Sequence, residues 1–246
     1  MFTPQNRAAL VMGFCMLVGG AAGCNSVTRP VVHSTLLRLA DLGVTAAMPE
    51  PNTVVAVETQ PSIGRFPAGV SVARVKIEES PGGPPGLVID SLTDPEALYW
   101  NELFDSVGKI REVTVIDPQS VPQRYVTVPQ LLASSRRQKC RLCVVYGQNE
   151  VAHNVSRVVG ALYDADTNEL VAVIFAEQIV DPQEKTPPPA DYPKGDERHK
   201  DAHWLAARRF EQLVRGFVLE LIERDREPGT PAEPATRPAG TAPAGR

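Results

Sequence analysis

Hydrophobic and polar residues follow two different periods along the middle of this chain. Apolar runs rich in β-branched residues predict strands, whereas apolar residues spaced three or four apart predict helices. The predicted order is strand, helix, strand, helix, three strands and helix, over Gly69–Ile77, Asp94–Val107, Arg111–Asp117, Val128–Lys139, Arg141–Gly147, Ser156–Asp164, Leu170–Val180 and Asp201–Asp225. This order predicts an α+β fold in which helices pack on a mixed β-sheet.

Two of the helices have first turns that the sequence identifies. Asp94 can cap the first helix, and Pro95 fits the first helical position. Pro129 opens the second helix, and Arg136 and Arg137 lie near its end, where positive charge complements the helix dipole. These start and stop signals agree with the spacing of the apolar residues.

Composition divides the rest of the chain. Prolines scattered through residues 24–67 interrupt regular structure, so we expect a flexible tether there with one short helix at Thr35–Leu42. Residues 68–226 carry the periodic pattern and form the predicted globular domain, in which the proline-rich stretch 181–198 is an exposed loop. Residues 227–246 are mostly Pro, Ala, Gly and Thr, a composition that predicts a disordered tail.

Residues 1–23 have the features of a signal peptide. Arg7 precedes the apolar stretch Ala8–Gly23, which is shorter than the ~20 residues needed to span a bilayer. The stretch ends in "AAGC", which resembles the lipobox of bacterial lipoproteins. The resemblance implies cleavage before Cys24, lipidation of Cys24 and, because Asn25 follows it, anchoring to the outer membrane with the domain facing the periplasm. Simple secretion with cleavage nearby is the alternative.

The overall charge argues against one class of partner. The chain has 246 residues, a formal net charge of -4 and a pI near 5.6. A mildly acidic protein exerts no general attraction on phosphate backbones, so we expect no nucleic-acid partner.

The stretch "DADTN" presents two readings. Asp164, Asp166 and Asn168 have the alternating spacing that opens an EF-hand calcium loop. Such a loop needs glycine at its sixth position and glutamate at its twelfth, where this chain has Glu169 and Phe175. Because strand-like sequences flank the stretch and Asp and Asn favour turns, the pattern predicts a β-hairpin.

Cys140 and Cys143 form the motif "CRLC". In an oxidising compartment such a pair could form a disulfide or act in redox chemistry. Residues three apart in an extended strand are about 10 Å from each other, beyond disulfide reach. We therefore interpret them first as small buried residues, second as a structural disulfide and last as a redox pair.

His199 and His203 are four residues apart, a spacing that can place two imidazoles on one metal ion. The glutamate of the HExxH motif is missing, and no third ligand is evident beside the pair. Both histidines could equally face solvent at the start of a helix. A metal-binding protein or metal-dependent enzyme is therefore the alternative hypothesis for function.

One longer stretch resembles a known group of domains. "RLCVVYGQ", followed by "VVGALYDADTNELVAVIFAEQIV" and a long amphipathic helix, resembles the envelope domain shared by the TolB N-terminal domain, the lipoprotein LpoB and the curli-secretion lipoprotein CsgG. The resemblance covers about Gly69 to Arg224 and implies a non-enzymatic domain without a cofactor. It also implies that the domain binds another envelope protein as an activator, adaptor or assembly factor, with no catalytic residues carried over.

Overall fold

Seven strands of the described chain form one mixed β-sheet that carries helices on both faces. A computed structural model describes residues 36–57, 64–80, 82–152, 154–180 and 201–226. The strands are β1 (Thr53–Ala56), β2 (Ala68–Glu78), β3 (Gly86–Ile89), β4 (Ile110–Val115), β5 (Cys140–Ala152), β6 (Val155–Asp164) and β7 (Glu169–Ile179). The α-helices are α1 (Asp94–Asp105), α2 (Val128–Arg137) and α3 (Ala202–Arg226), with 3-10 helices at Leu39–Leu42 and Pro118–Ser120.

The strand order is β1-β7-β6-β5-β2-β3, and β4 also pairs with β2. β2 runs parallel to β4 and β5, whereas β5, β6 and β7 form an antiparallel meander that β1 extends. The parallel pairs need long connections, and α1 and α2 lie in the chain between β2 and β5. The α+β class and the order of the eight predicted elements are confirmed.

Each face of the sheet has its own hydrophobic core. On one face, α1 and α3 cover the sheet, and Trp100 and Phe210 are fully buried there. On the other face, α2 and residues 37–44 cover it, with Leu131 and Leu42 fully buried. A sheet covered on both faces explains why the first six residues of β2 are all buried and apolar or small.

Residues 36–57 of the predicted tether are partly folded, so the tether prediction was wrong beyond the short helix that was expected at Thr35–Leu42. These residues contain a 3-10 helix, within the range predicted for a helix, and the edge strand β1. β1 pairs antiparallel with β7, and Val54 lies opposite Ile174. The pairing partner is 120 positions away in sequence, and a strand of four residues gives little periodic signal. β3 was also missed, because it too has only four residues.

Residues 37–44 are tied to the sheet by side chains from β5 and β6. The Asn149 amide accepts a hydrogen bond from the Leu37 N–H and donates one to the Leu37 carbonyl, both at 2.9 Å. The Tyr163 hydroxyl donates to the carbonyl of Leu42. The Leu37 side chain lies against Gly147, where an added Cβ would come within 2.4 Å of it. Residue 37 is therefore a fixed point at which the chain joins the fold.

Helix α1 begins one residue earlier than the sequence suggested. Thr93, and not Asp94, is the N-cap, and the Glu96 carboxylate accepts from the Thr93 N–H at 2.7 Å and from its hydroxyl at 2.9 Å. The Glu96 side chain thus satisfies the N–H of the N-cap residue, as in a capping box. Within the described residues, no helix combines the length and apolar character needed to cross a membrane.

Two glycine substitutions should separate packing from helix propensity. Gly160 lies under the Phe210 ring, and a Cβ there would be 2.5 Å from the ring, so Gly160→Ala should lose about 1–3 kcal/mol of unfolding free energy. Gly216 lies inside α3 with open space around it, so Gly216→Ala should gain about 0.5–1 kcal/mol. Urea unfolding of both variants measures the two changes. An unchanged or raised unfolding free energy for Gly160→Ala would contradict the packing of Phe210 on Gly160.

Candidate functional site

The structure places only some of the predicted site residues. Cys24 and His199 lie outside the described residues, as do the predicted loop 181–198 and tail 227–246. His203 lies in the first turn of α3, where its backbone N–H donates to the Asp201 side chain at 2.8 Å and its carbonyl accepts from Gln148. Over the described ranges, His, Cys, Asp and Glu side chains form no group of three that could hold a metal.

Cys140 and Cys143 are both buried in β5 and both are free thiols. The disulfide alternative is therefore not formed, because an extended strand holds the two residues too far apart. Burial raises the pKa of the Cys143 thiol to about 12, and burial also raises the pKa of Cys140. These environments disfavour the thiolate that redox chemistry requires.

The "DADTN" stretch is the turn of the β6–β7 hairpin, as predicted. Asp164 is fully buried, and its carboxylate lies between two arginines, 3.2 Å from Arg65 Nε and 3.1 Å from Arg141 Nε. It also accepts from the N–H of Asp166 at 3.1 Å. Asn168 adopts the left-handed conformation, with φ of 62°, which this residue type tolerates. The Asp164 carboxylate, which suggested the first ligand of a calcium loop, therefore contacts groups of the protein itself.

A second group of charged side chains joins α1 to β2, where the sheet meets the helices. Arg74 on β2 lies 2.8 Å from Asp90 and 2.7 Å from Glu96, and its guanidinium also donates to the Ser91 carbonyl. Burial alone would raise the pKa of Glu96, but the hydrogen bonds from Thr93 and the charge of Arg74 outweigh it and lower this pKa. Arg74 thus contacts two carboxylates and one backbone carbonyl.

Helix α3 adds a buried ion pair beside this group. Arg208 Nη1 lies 2.9 Å from Glu211 Oε2, and the Arg208 guanidinium stacks 3.6 Å above the centre of the Tyr99 ring. Burial raises the pKa of Glu211 to about 8, because the charge of Arg208 offsets only part of the desolvation penalty. Sequence reasoning missed these residues, since Glu211 looks like any polar position on an amphipathic helix.

A cleft of about 240 Å³ opens beside Arg74. Its wall includes Lys76, Asp90, Gln148, Asn149 and His203. Because Asp90 lies 2.8 Å from Arg74 and 3.3 Å from Lys76, the two cationic groups in the wall are already paired with a carboxylate. The contacts of Arg74 with Glu96 and of Gln148 with His203 join α1 and α3 to the sheet. The wall of the cleft is therefore polar, with its positive charges paired to carboxylates.

The outer edge of β1 is the other feature that a binding partner could use. β1 ends the sheet on one side, and the Val57 N–H donates inward to Val171 at 2.9 Å. In an antiparallel pair the direction alternates, so the backbone groups of Val54 and Ala56 point outward. The sequence "TVVAV" at residues 53–57 has no charged residue and Val55 is 46% exposed. Exposed apolar edges of this kind pair readily with another strand.

Comparisons with known proteins give remote similarities. No family model and no curated protein sequence matches the chain. Among solved structures it is similar to the PelC dodecamer from Paraburkholderia phytofirmans, at 12% identity and a TM-score of 0.38, over 66% of this chain and 94% of that one. For the LpoB C-terminal domain from Salmonella enterica, the identity is 15% and the TM-score 0.29, over 46% of this chain and 82% of that one.

TolB from Acinetobacter baumannii is also similar in structure, at 8% identity and a TM-score of 0.29, over 66% of this chain and 31% of that one. LpoB and TolB, which the sequence resembles, thus recur among the structural neighbours. Likeness at this level does not determine what the chain does.

The raised pKa of Glu211 predicts a pH dependence of stability. Arg208, Glu96, Arg74 and Tyr146 surround the group, and its pKa rises from an ordinary 4.5 to about 8 in the folded state. The fold favours the protonated acid, so this contribution is complete below about pH 4.5 and is lost as pH rises to about 8. At about 1.4 kcal/mol per unit, the loss amounts to up to about 5 kcal/mol.

Glu211→Gln cannot ionise at this position, so the variant should lose less unfolding free energy than the native protein between pH 5 and pH 8. Chemical denaturation at several pH values measures the difference. Glu220→Gln is the matched control, because Glu220 lies on the same helix with its side chain 63% exposed. The prediction is wrong if Glu211→Gln and the native protein show the same slope with pH.

Proposed function

We propose that this chain is a lipid-anchored protein of the bacterial cell envelope whose folded domain binds another protein and acts by contact, without catalysis or a cofactor. The observation that carries the proposal is the short apolar stretch Ala8–Gly23, which ends directly before Cys24. Lipidation of Cys24 would hold the domain at a membrane, because each buried acyl CH₂ contributes about 0.8 kcal/mol. Asn25 after the cysteine favours the outer membrane, with the domain on its periplasmic side.

The edge strand β1 supports the protein-binding part of the proposal. An extended segment of a partner could add a strand to β1, forming main-chain hydrogen bonds with the outward-facing groups of Val54 and Ala56. The uncharged stretch from Thr53 to Val57 lacks the lysine or proline that commonly blocks such pairing. The partner is then an envelope protein that presents an extended, largely apolar segment.

The fixed position of Leu37 limits where that partner can be. An extended chain from Cys24 to Leu37 spans at most about 45 Å, whereas a tether through residue 67 would have spanned about 150 Å. The folded domain would therefore work close to the membrane that holds its anchor. A partner would have to reside in, or reach to, that same membrane.

Replacing the lipidated cysteine tests the anchor. Cys24→Ser should move the protein from the membrane fraction to the soluble fraction and abolish incorporation of radiolabelled fatty acid, because serine offers no thiol for the thioether. Cys15→Ser is the matched control, since residue 15 lies upstream of the predicted cleavage and should leave both results unchanged. Unchanged fractionation and labelling of Cys24→Ser would refute the anchoring.

Photocrosslinking from the sheet edge tests the partner. Benzoylphenylalanine at Val55 in the full-length chain should yield one reproducible protein adduct in irradiated cells, which mass spectrometry identifies. Leu98 on α1, 58% exposed, is the control position and should not yield the same adduct. Adducts that are absent at Val55, or identical at both positions, would refute binding at the β1 edge.

A further inference from the structure

Two exposed apolar side chains lie at one end of the sheet, on β5 and β7. Val155, the first residue of β6, pairs with both Ala152 on β5 and Ile179 on β7, so these three strands share this end. Ile179 is 59% exposed and Val151 is 41% exposed. Large apolar side chains with this much exposure, grouped at one place, usually mark a surface that contacts something.

Ile179 continues the face that carries the N-terminal segment. Side chains alternate along a strand, so Ile179 points to the same face as Phe175, which lies in the core beneath residues 37–44. Leu37 covers Gly147 on β5, and Val151 lies four positions further along, at the register shift between Glu150 and Ala152. The exposed residues thus begin where the cover provided by the N-terminal segment stops.

The chain joins the fold at this same end. Asn149, which binds both backbone groups of Leu37, pairs with Arg157, two residues or about 7 Å along β6 from Val155. Leu36, the first described residue, is 43% exposed. Leu36, Val151 and Ile179 are called the apolar end below. The segment that leads back to Cys24 therefore starts at the apolar end.

Among the described residues near the apolar end, one ion pair lies behind the apolar side chains, and Glu150 next to Val151 is exposed. Arg157 and Glu177 lie opposite each other on β6 and β7, two residues inside the end, and form an ion pair. The backbone N–H of Glu177 also donates to the Asn52 side chain at 3.2 Å. A neutral pair behind apolar side chains suits a surface that enters the interfacial layer of a membrane, where unpaired charge is unfavourable.

We propose that the apolar end rests on the lipid surface that holds the acylated Cys24. This inference depends on the proposed anchoring, and its occupant follows from the position of the anchor. At most about 45 Å of chain separates the lipid from the apolar end, so the anchor keeps this end close to the bilayer. Contact of the apolar end would then set the orientation of the whole domain and turn the β1 edge away from the membrane surface.

The distance between the two surfaces provides an internal control. Val55 pairs with Val173 on β7, six residues from Ile179, which corresponds to about 20 Å along the strand. Val55 is 46% exposed and Val151 is 41% exposed, so the two positions differ in location and not in accessibility. A crosslinker at each position therefore compares the apolar end with the sheet edge on one face of the domain.

The test uses the full-length chain with Cys24 intact, in cells whose phospholipids carry ³²P. Benzoylphenylalanine is placed at Ile179, Val151 or Val55, and the purified protein is counted after irradiation. The acyl anchor contains no phosphorus. The ³²P that the protein gains on irradiation, relative to an unirradiated sample, therefore reports crosslinked phospholipid. We expect at least about fivefold more ³²P at Ile179 and Val151 than at Val55.

Equal labelling at the three positions would overturn the inference. It would also be overturned if Ile179 yielded protein adducts, or adducts within its own chain, in place of lipid. Membrane fractionation of the same cells separates the two proposals. If the protein is in the membrane fraction while Ile179 captures no phospholipid, only the orientation is wrong, whereas a soluble protein means that the anchoring itself has failed.

Discussion

Burial of the sheet on both faces is the constraint on which the rest of the structure depends. β2 and β5 are apolar on both sides, so each side needs a cover that keeps water out. Helices α1 and α3 cover one face, but α2 is too short to cover the other alone. Residues 37–44 complete that cover, because the side chains of Leu37, Leu39, Leu42 and Val44 are all buried in this core. The N-terminal segment is therefore part of the core.

Buried charges in this protein occur with partners of opposite sign. Asp164 lies between Arg65 and Arg141, which brings together β6, β5 and the segment before β2. Removing one partner from such a buried group typically costs about 3–5 kcal/mol, because the other charge is left without compensation. Glu211 is the exception in degree, since burial outweighs the attraction of Arg208 and raises its pKa to about 8. The fold therefore favours the protonated form of Glu211, and this contribution to stability is lost as pH rises from about 4.5 to about 8.

The two exposed features of the domain have complementary roles in the proposed function. The apolar end lies where the chain leads back to Cys24, and the β1 edge lies about 20 Å along the sheet from it. Both depend on residues 36–57, because Leu37 fixes the first and β1 forms the second. A segment that looks like a linker would thereby hold the domain near its membrane and also offer the strand to which a partner adds.

The sequence by itself determined the features that depend on neighbouring residues. Eight elements, the β6–β7 hairpin and the rejection of a calcium loop all follow from periodicity and turn chemistry within about a dozen positions. Tertiary structure alone decided the features that depend on distant residues. β1 exists because β7 offers it an edge, Asp164 meets an arginine 99 positions away, and Glu211 on α3 lies near Arg74 on β2 and Glu96 on α1. Such contacts leave no local pattern, because Asp, Glu and Arg are found mostly on exposed surfaces and a strand of four residues is too short to show a period.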